Sequence, residues 1–180
     1  EGRASTPAGV ATMASRWAAT LAVVFVLCSS THHGSAGGRS SDAAPGQFLA
    51  PHNAARAALG LPPLVWDAGV ARYAQWYASQ RQWDCALRHS GGPYGENIFW
   101  GSGFGWTPAQ AVGAWAAERR WYSYRTNSCS PGQMCGHYTQ IVWESSRRLG
   151  CASVTCSGGK GVFITCNYDP PGNYIGERPY

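Results

Sequence analysis

The chain has 180 residues, of which 44% are apolar, with nine tryptophans and a net charge of +5 from 14 basic and 9 acidic side chains. That is enough apolar material for one compact domain and too little chain for two. The basic residues are scattered and form no Lys/Arg block or arm, which argues against nucleic acid as a partner and leaves only a mild attraction to anionic surfaces.

In chain order, residues 1–12 precede the first methionine, Met13, and are set aside as upstream sequence. Residues 18–27 (AATLAVVFVL) form an apolar run preceded by Arg16 and ended by Cys28, two serines, Thr31 and two histidines. A membrane span needs about 20 apolar residues, so this run reads as the core of an export signal over residues 13–36, and no transmembrane segment is expected. The small residues Gly34-Ser35-Ala36 offer one cleavage point, and Ser29-Ser30 a competing one. The remainder, 37–180, is expected to form a single domain entered through the small, polar stretch GGRSSDAAPG.

Folding is expected to begin near Gln47. Leu49, His52, Ala55 and Leu59 share one helical face, which turns the imidazole inward, and Pro51 suits only a first turn, so this helix is expected to start close to Pro51 and stop at Gly60. Asp67 is placed to cap a second helix carrying Val70, Tyr73, Ala74, Tyr77 and Ala78, running on to Trp83. Thr107-Pro108 opens a third, with Ala111, Trp115, Glu118 and Tyr122 along one face. From Tyr138 onward, the runs 141–143, 152–155 and 162–165 read as short antiparallel strands, with Ser157-Gly158-Gly159-Lys160-Gly161 as the hairpin between the last two. Helices first and strands afterwards predict an α+β domain in which helices cover an antiparallel sheet.

Once Cys28 leaves with the export signal, Cys85, Cys129, Cys135, Cys151, Cys156 and Cys166 remain, without any CxxC pair. Three disulfides formed in an oxidising compartment fit this pattern better than a zinc ribbon or a thioredoxin-type motif, and fifteen pairings are open on sequence alone. No Asn-x-Ser/Thr acceptor occurs.

His52, Glu96, Glu118 and His137 each stand inside an apolar or glycine-framed stretch, which marks them as candidate site residues that only tertiary folding brings together. Tyr138 stands where an HExxH motif needs glutamate, and no GxSxG elbow is present. Ser90 beside His89 lies in HSGGPYGEN, read as a glycine turn that places Glu96, with both residues structural.

The segments PHNAAR around His52, HSGGPYGENIFWGSG around Glu96, WAAE ending at Glu118 and CGHYTQIVW around His137 resemble, in order, the signatures of the cysteine-rich secretory, antigen 5 and pathogenesis-related superfamily. The ending CNYDPPGNYIGERPY resembles its plant class 1 branch, and the likeness covers residues 47–180. The resemblance implies an α-β-α sandwich with the bridges Cys85–Cys156, Cys129–Cys135 and Cys151–Cys166, and a cleft shared by His52, Glu96, Glu118 and His137. No cofactor is required by it. The two imidazoles, His52 and His137, are the candidate ligands for Zn²⁺ or another divalent ion, with the carboxylates as further ligands or as a base in a metal-dependent hydrolase. The competing reading is a satisfied polar network that cross-links helices to sheet. By the same resemblance the protein is expected to be a monomer exported to the apoplast, antimicrobial through a sterol or other lipid of microbial membranes. Trp76, Trp83, Trp100, Trp106 and Trp121 are candidates for the walls of its apolar groove. Residues 170–180 resemble a defence-signalling peptide released between Asp169 and Pro170 and read by a receptor.

Overall fold

A computed structural model describes residues 45–180; the expectations for residues 1–12 and for the export signal over 13–36 lie outside the described residues. The first helix, α1, spans Pro45–Ala57 and so begins earlier than the Pro51 start read from the sequence. Pro45 takes the first-turn place, while Pro51 sits inside the helix, where its missing donor and its ring cost about 3 kcal/mol. What offsets this is the buried face Phe48, His52 and Arg56, spaced four apart. Burial of Phe48 alone contributes about 1.5–3 kcal/mol, and the two polar residues add hydrogen bonds to distant parts of the chain.

After the two-residue strand β1, Val65–Trp66, Asp67 caps α2, Ala68–Arg81, by accepting from the Gly69 and Val70 amides at 2.7 and 2.9 Å. The strand β2, Gly95–Gly101, follows the glycine turn; its glycines at both ends hide it from a reading based on strand propensity. Thr107 and Gln110 form a capping box for α3, Pro108–Ala116. The apolar stripe expected to continue through Glu118 instead tightens into a 3₁₀ turn, Ala117–Trp121, which leads into β3, Tyr122–Ser123, paired with β4, Ser128–Cys129.

The run 141–143 is not a strand. Gly136–Ile141 forms the helix α4, with Val142 and Trp143 turning away from its end. β-branched residues fit any well-packed apolar site, and here the buried Ile141 and Val142 face the helical layer. The strands β5, Arg148–Thr155, and β6, Val162–Asp169, pair antiparallel around a 3₁₀ turn at Ser157–Gly159.

The main sheet runs β1-β5-β6-β2. It is antiparallel except that β1 lies parallel to β5, so the sheet is mixed where the sequence predicted an antiparallel one. Alternation along β6 divides the core. Val162, Ile164, Cys166 and Tyr168 join Phe48, Trp115, Tyr138 and Ile141 on one face, while Phe163 packs with Ala74, Tyr77 and Ala78 of α2 on the other. The result is an α-β-α sandwich. Gly150 lets α2 rest on the sheet, because a Cβ there would lie 2.1 Å from the Ala71 nitrogen.

The cystines are Cys85–Cys156, Cys129–Cys135 and Cys151–Cys166. They tie the end of the α2 region to the β5–β6 turn, β4 to the start of α4, and β5 to β6.

Candidate functional site

His52 is fully buried and both of its ring nitrogens are engaged. Nδ1 donates to the Phe48 carbonyl at 2.8 Å, and Nε2 accepts from the Tyr168 hydroxyl at 2.7 Å. The Tyr168 oxygen in turn accepts from Asn97 Nδ2 at 3.0 Å, and the same amide donates to the His137 carbonyl at 3.0 Å. Loss of water pushes the His52 pKa down to about 4, with the Phe48 carbonyl opposing the shift and the Arg56 cation adding to it. Burial raises the Tyr168 hydroxyl well above its ordinary range, so it remains a donor. His52 is therefore a neutral clamp joining α1, β6, β2 and α4, and not the wall of an open cleft.

Glu96 and Asn97 are consecutive on β2, so the pleat sends them to opposite faces of the sheet. Asn97 joins the His52 clamp. Glu96 lies opposite Asn167 on the α2 side, where its carboxylate accepts from Asn167 Nδ2 at 3.2 Å and from the Ser90 amide at 2.9 Å, and meets His89 Nδ1 at 2.8 Å. Its side chain is 5% exposed, whereas that of His89 is 61% exposed. The imidazole that the sequence reading set aside is thus the one Glu96 holds. The signal available was the seven-residue spacing across a glycine turn, which curls His89 back toward the strand it precedes.

Glu118 and His137 form the other pair. Glu118 Oε1 lies 2.6 Å from His137 Nδ1, while Oε2 accepts from the His137 and Tyr138 amides at 3.0 and 3.3 Å. The carboxylate thereby serves as the side-chain cap of α4. Trp115 lies over the His137 ring, with centroids 6.0 Å apart and planes 16° from parallel, and its indole N–H reaches the Ile98 carbonyl of β2 at 3.2 Å.

The four candidates therefore fall into two hydrogen-bonded sets and not one. Glu118 and His137 pair directly, the buried His52 reaches the His137 carbonyl through Tyr168 and Asn97, and Glu96 pairs separately with His89. The proposed ligand set His52 and His137 does not fit a divalent ion, since the lone pair on His52 Nε2 already receives the Tyr168 proton. Among the described residues no group of three or more His, Cys, Asp or Glu is placed to hold a metal ion.

Arg56 was not singled out from the sequence, yet it is fully buried and organises the site from below. Its guanidinium donates to the carbonyls of Pro62 at 2.7 Å, Ile141 at 3.0 Å, Trp143 at 2.7 Å and Ser146 at 3.2 Å, which fixes the turn that follows α4.

An apolar cleft of about 300 Å³ opens between α1 and α2, with Phe48, Trp66 and Ala71 as walls and Cys151 and Ala152 of β5 beneath. None of the tryptophans named from the sequence lines it; Trp66 does. Trp76, Trp83, Trp100 and Trp106 are instead exposed, and the last two share one end of the sheet with Phe104, which is 75% exposed. A Cβ on Gly101 would strike the Trp106 ring, one on Gly161 would strike Trp100, and one on Gly159 would press on Phe104, so these aromatics are neighbours around the same turns.

A family model described as the cysteine-rich secretory protein family matches residues 49–168. The pathogenesis-related protein PR-1 of Medicago truncatula is 69% identical over 134 residues, covering 74% of this chain and 78% of that relative. The pathogenesis-related protein PRMS of Zea mays is 53% identical over 141 residues, covering 78% and 84%. Among solved structures, that described as the crystal structure of NaASP2 with Zn2+ superposes with a TM-score of 0.61 at 28% identity, covering 74% of this chain and 83% of that one.

Proposed function

Since this chain belongs to the cysteine-rich secretory protein family, alongside the plant pathogenesis-related class 1 proteins, we propose that it is an exported defence protein that binds a sterol or related lipid of microbial membranes. In the same proposal, its last eleven residues, 170–180, carry a signal released by hydrolysis at Asp169–Pro170 and read by a receptor. Three cystines suit an oxidising compartment outside the cell. The observation that carries lipid binding is the apolar cleft between α1 and α2, whose volume of about 300 Å³ stands at the lower end of small-molecule sites and takes a ring system or acyl segment, with the remainder of the ligand outside. Its exposed Arg72 and Gln75 supply polar partners for a hydroxyl or headgroup. The exposed aromatic set Trp100, Phe104 and Trp106 suits contact with a membrane surface, where aromatic side chains favour the interface.

The test is titration of the purified protein with an ergosterol-type sterol, following intrinsic tryptophan fluorescence and retained lipid. Saturable binding is expected, weakened about tenfold, or ~1.4 kcal/mol, by Ala71→Trp, which fills the cleft. Binding that is saturable but indifferent to Ala71→Trp and lost in Phe104→Ala moves the site to the aromatic end. No saturable binding, with microbial growth unchanged by the protein, removes the lipid mechanism.

A further inference from the structure

We propose that β3, β4 and α4 with the turn after it form a peptide-binding groove whose ligand is the chain's own tail, so that hydrolysis at Asp169–Pro170 yields a held peptide and not a free one. This rests on the reading of residues 170–180 as a releasable signal. The tail is fastened at both ends. At the near end Pro170 accepts from Ser146 Oγ at 2.8 Å, and the Gly172 amide donates to the buried Gln140 Oε1 at 3.1 Å. Gly172 lies so close to Trp143 that a Cβ would come within 2.4 Å of its ring. Asn173 then bonds α4 twice, accepting from Thr139 Oγ1 at 2.7 Å and donating to the Gly136 carbonyl at 2.8 Å.

At the far end the Pro179 carbonyl accepts from the Glu144 amide at 2.6 Å, and Pro179 itself is buried. Tyr180 stacks on Tyr124, with centroids 4.8 Å apart and planes 9° from parallel. Asn127 Nδ2 holds the Glu177 carbonyl at 3.0 Å, and the Arg178 guanidinium donates to the Tyr124 carbonyl. Between the two anchors the chain rises to an apex at Tyr174 and Ile175, which are 51% and 104% exposed.

Hydrolysis touches none of these contacts. Water adds across one amide, leaving a carboxyl on Asp169 and a secondary amine on Pro170, and every bond named above lies to the C-terminal side of the cut. The groove recognises an arched peptide, turned between Tyr174 and Glu177, with a small residue at its third position, an asparagine at its fourth and a C-terminal tyrosine. The body that carries the peptide thus also buffers it, and release needs a second event that opens the groove.

Asp169–Pro170 is the only Asp–Pro bond in the sequence, and such amides are cut selectively in acid with cystines left intact. After acid cleavage and return to neutral pH, the peptide is expected to co-elute with the body on gel filtration at one to one. Denaturant should separate them, and Asn127→Ala with Tyr180→Ala in the cut protein should speed loss of peptide at least tenfold. A peptide that elutes alone, from a body with the near-ultraviolet circular dichroism of the uncut protein, overturns the proposal. Should the cut body not regain that signature, amide exchange in the untreated full chain decides: the Glu144 and Gly172 amides are expected to be protected relative to Gly176, and equal exchange overturns it. The defence response to synthetic peptide 170–180 is scored separately, so that a silent peptide which still co-elutes removes the signalling reading and leaves the groove standing.

Discussion

Glu118 holds His137 at two points, with Oε2 accepting from the residue's own amide at 3.0 Å and Oε1 meeting its ring at 2.6 Å. The same carboxylate reaches the Tyr138 amide, so it orients the imidazole and satisfies the first turn of α4 at once. Glu118→Ala leaves those amides without their acceptor and is expected to cost about 1–3 kcal/mol. Glu118→Gln retains one carbonyl oxygen and should lose about half as much. Urea denaturation of the three proteins measures this, and an Ala variant as stable as the parent would show that the pair plays no part in seating α4.

His52 makes stability depend on pH in a defined window. An unfolded chain protonates this imidazole near pH 6.5, whereas the folded chain resists until about pH 4. Between those values the unfolded state binds more protons, so stability is full above pH 6.5 and is lost as pH falls toward 4, by about 3 kcal/mol in all. His52→Gln, which keeps a donor and an acceptor, is expected to flatten that slope. Asp67, held below its ordinary range chiefly by the Val70 amide, adds a slope only at lower pH. Stability measured at pH 7, 5.5 and 4.5 in parent and variant tests this; parallel curves would show that His52 titrates alike in both states.

The parts of the fold that were legible are those written locally. Asp67 and Thr107-Pro108 announce the starts of α2 and α3 because a cap and its helix are adjacent in sequence. What was not legible depends on partners far away. An imidazole on an apolar helix face looks alike whether it lines a cleft or meets a hydroxyl 116 residues on, and the Tyr168 bond decides between the two for His52. The run 141–143 looks like a strand because its composition suits one, but Glu118 caps the preceding amides and Arg56 collects the run's own Ile141 and Trp143 carbonyls. Glu96 stands out in the sequence, whereas its contact with His89 does not, because the glycine turn reads as a device that places Glu96 and the ring meets the carboxylate only once that turn curls back.

Among the described residues Arg56 is the largest of the fully buried side chains, and its cation is matched there by main-chain carbonyls and not by a carboxylate. Arg56→Lys keeps the charge but cannot reach the Pro62, Ile141, Trp143 and Ser146 carbonyls together, because an ammonium offers three donors from one point and a guanidinium five in a plane. Destabilisation of about 3 kcal/mol or more is expected, with Arg56→Ala at least as damaging. Because these carbonyls set the turn in which Trp143 and Glu144 receive the tail, amide exchange at Glu144 should rise in Arg56→Lys even under conditions where the fold persists. Unchanged protection at Glu144 would separate the arginine from the tail.

The cystines differ in what their loss should cost. Cys85–Cys156 closes a separation of 71 residues and Cys129–Cys135 one of 6, so the loop-entropy account assigns about 4 kcal/mol to the first and about 2 kcal/mol to the second. Cys85 and Cys156 also pack in the α2-side core with Tyr77 and Phe163, and paired alanines there lose contact as well as constraint. Replacing Cys129 and Cys135 by alanine should instead act locally, since that bridge joins β4 to the first turn of α4, beside the Gly136 carbonyl that holds Asn173. Urea midpoints are expected to fall about twice as far for the long bridge, while loosening of the tail, read by exchange at Gly172, is expected only for the short one. Equal midpoints would mean that native packing and not chain constraint sets the contribution of these bonds.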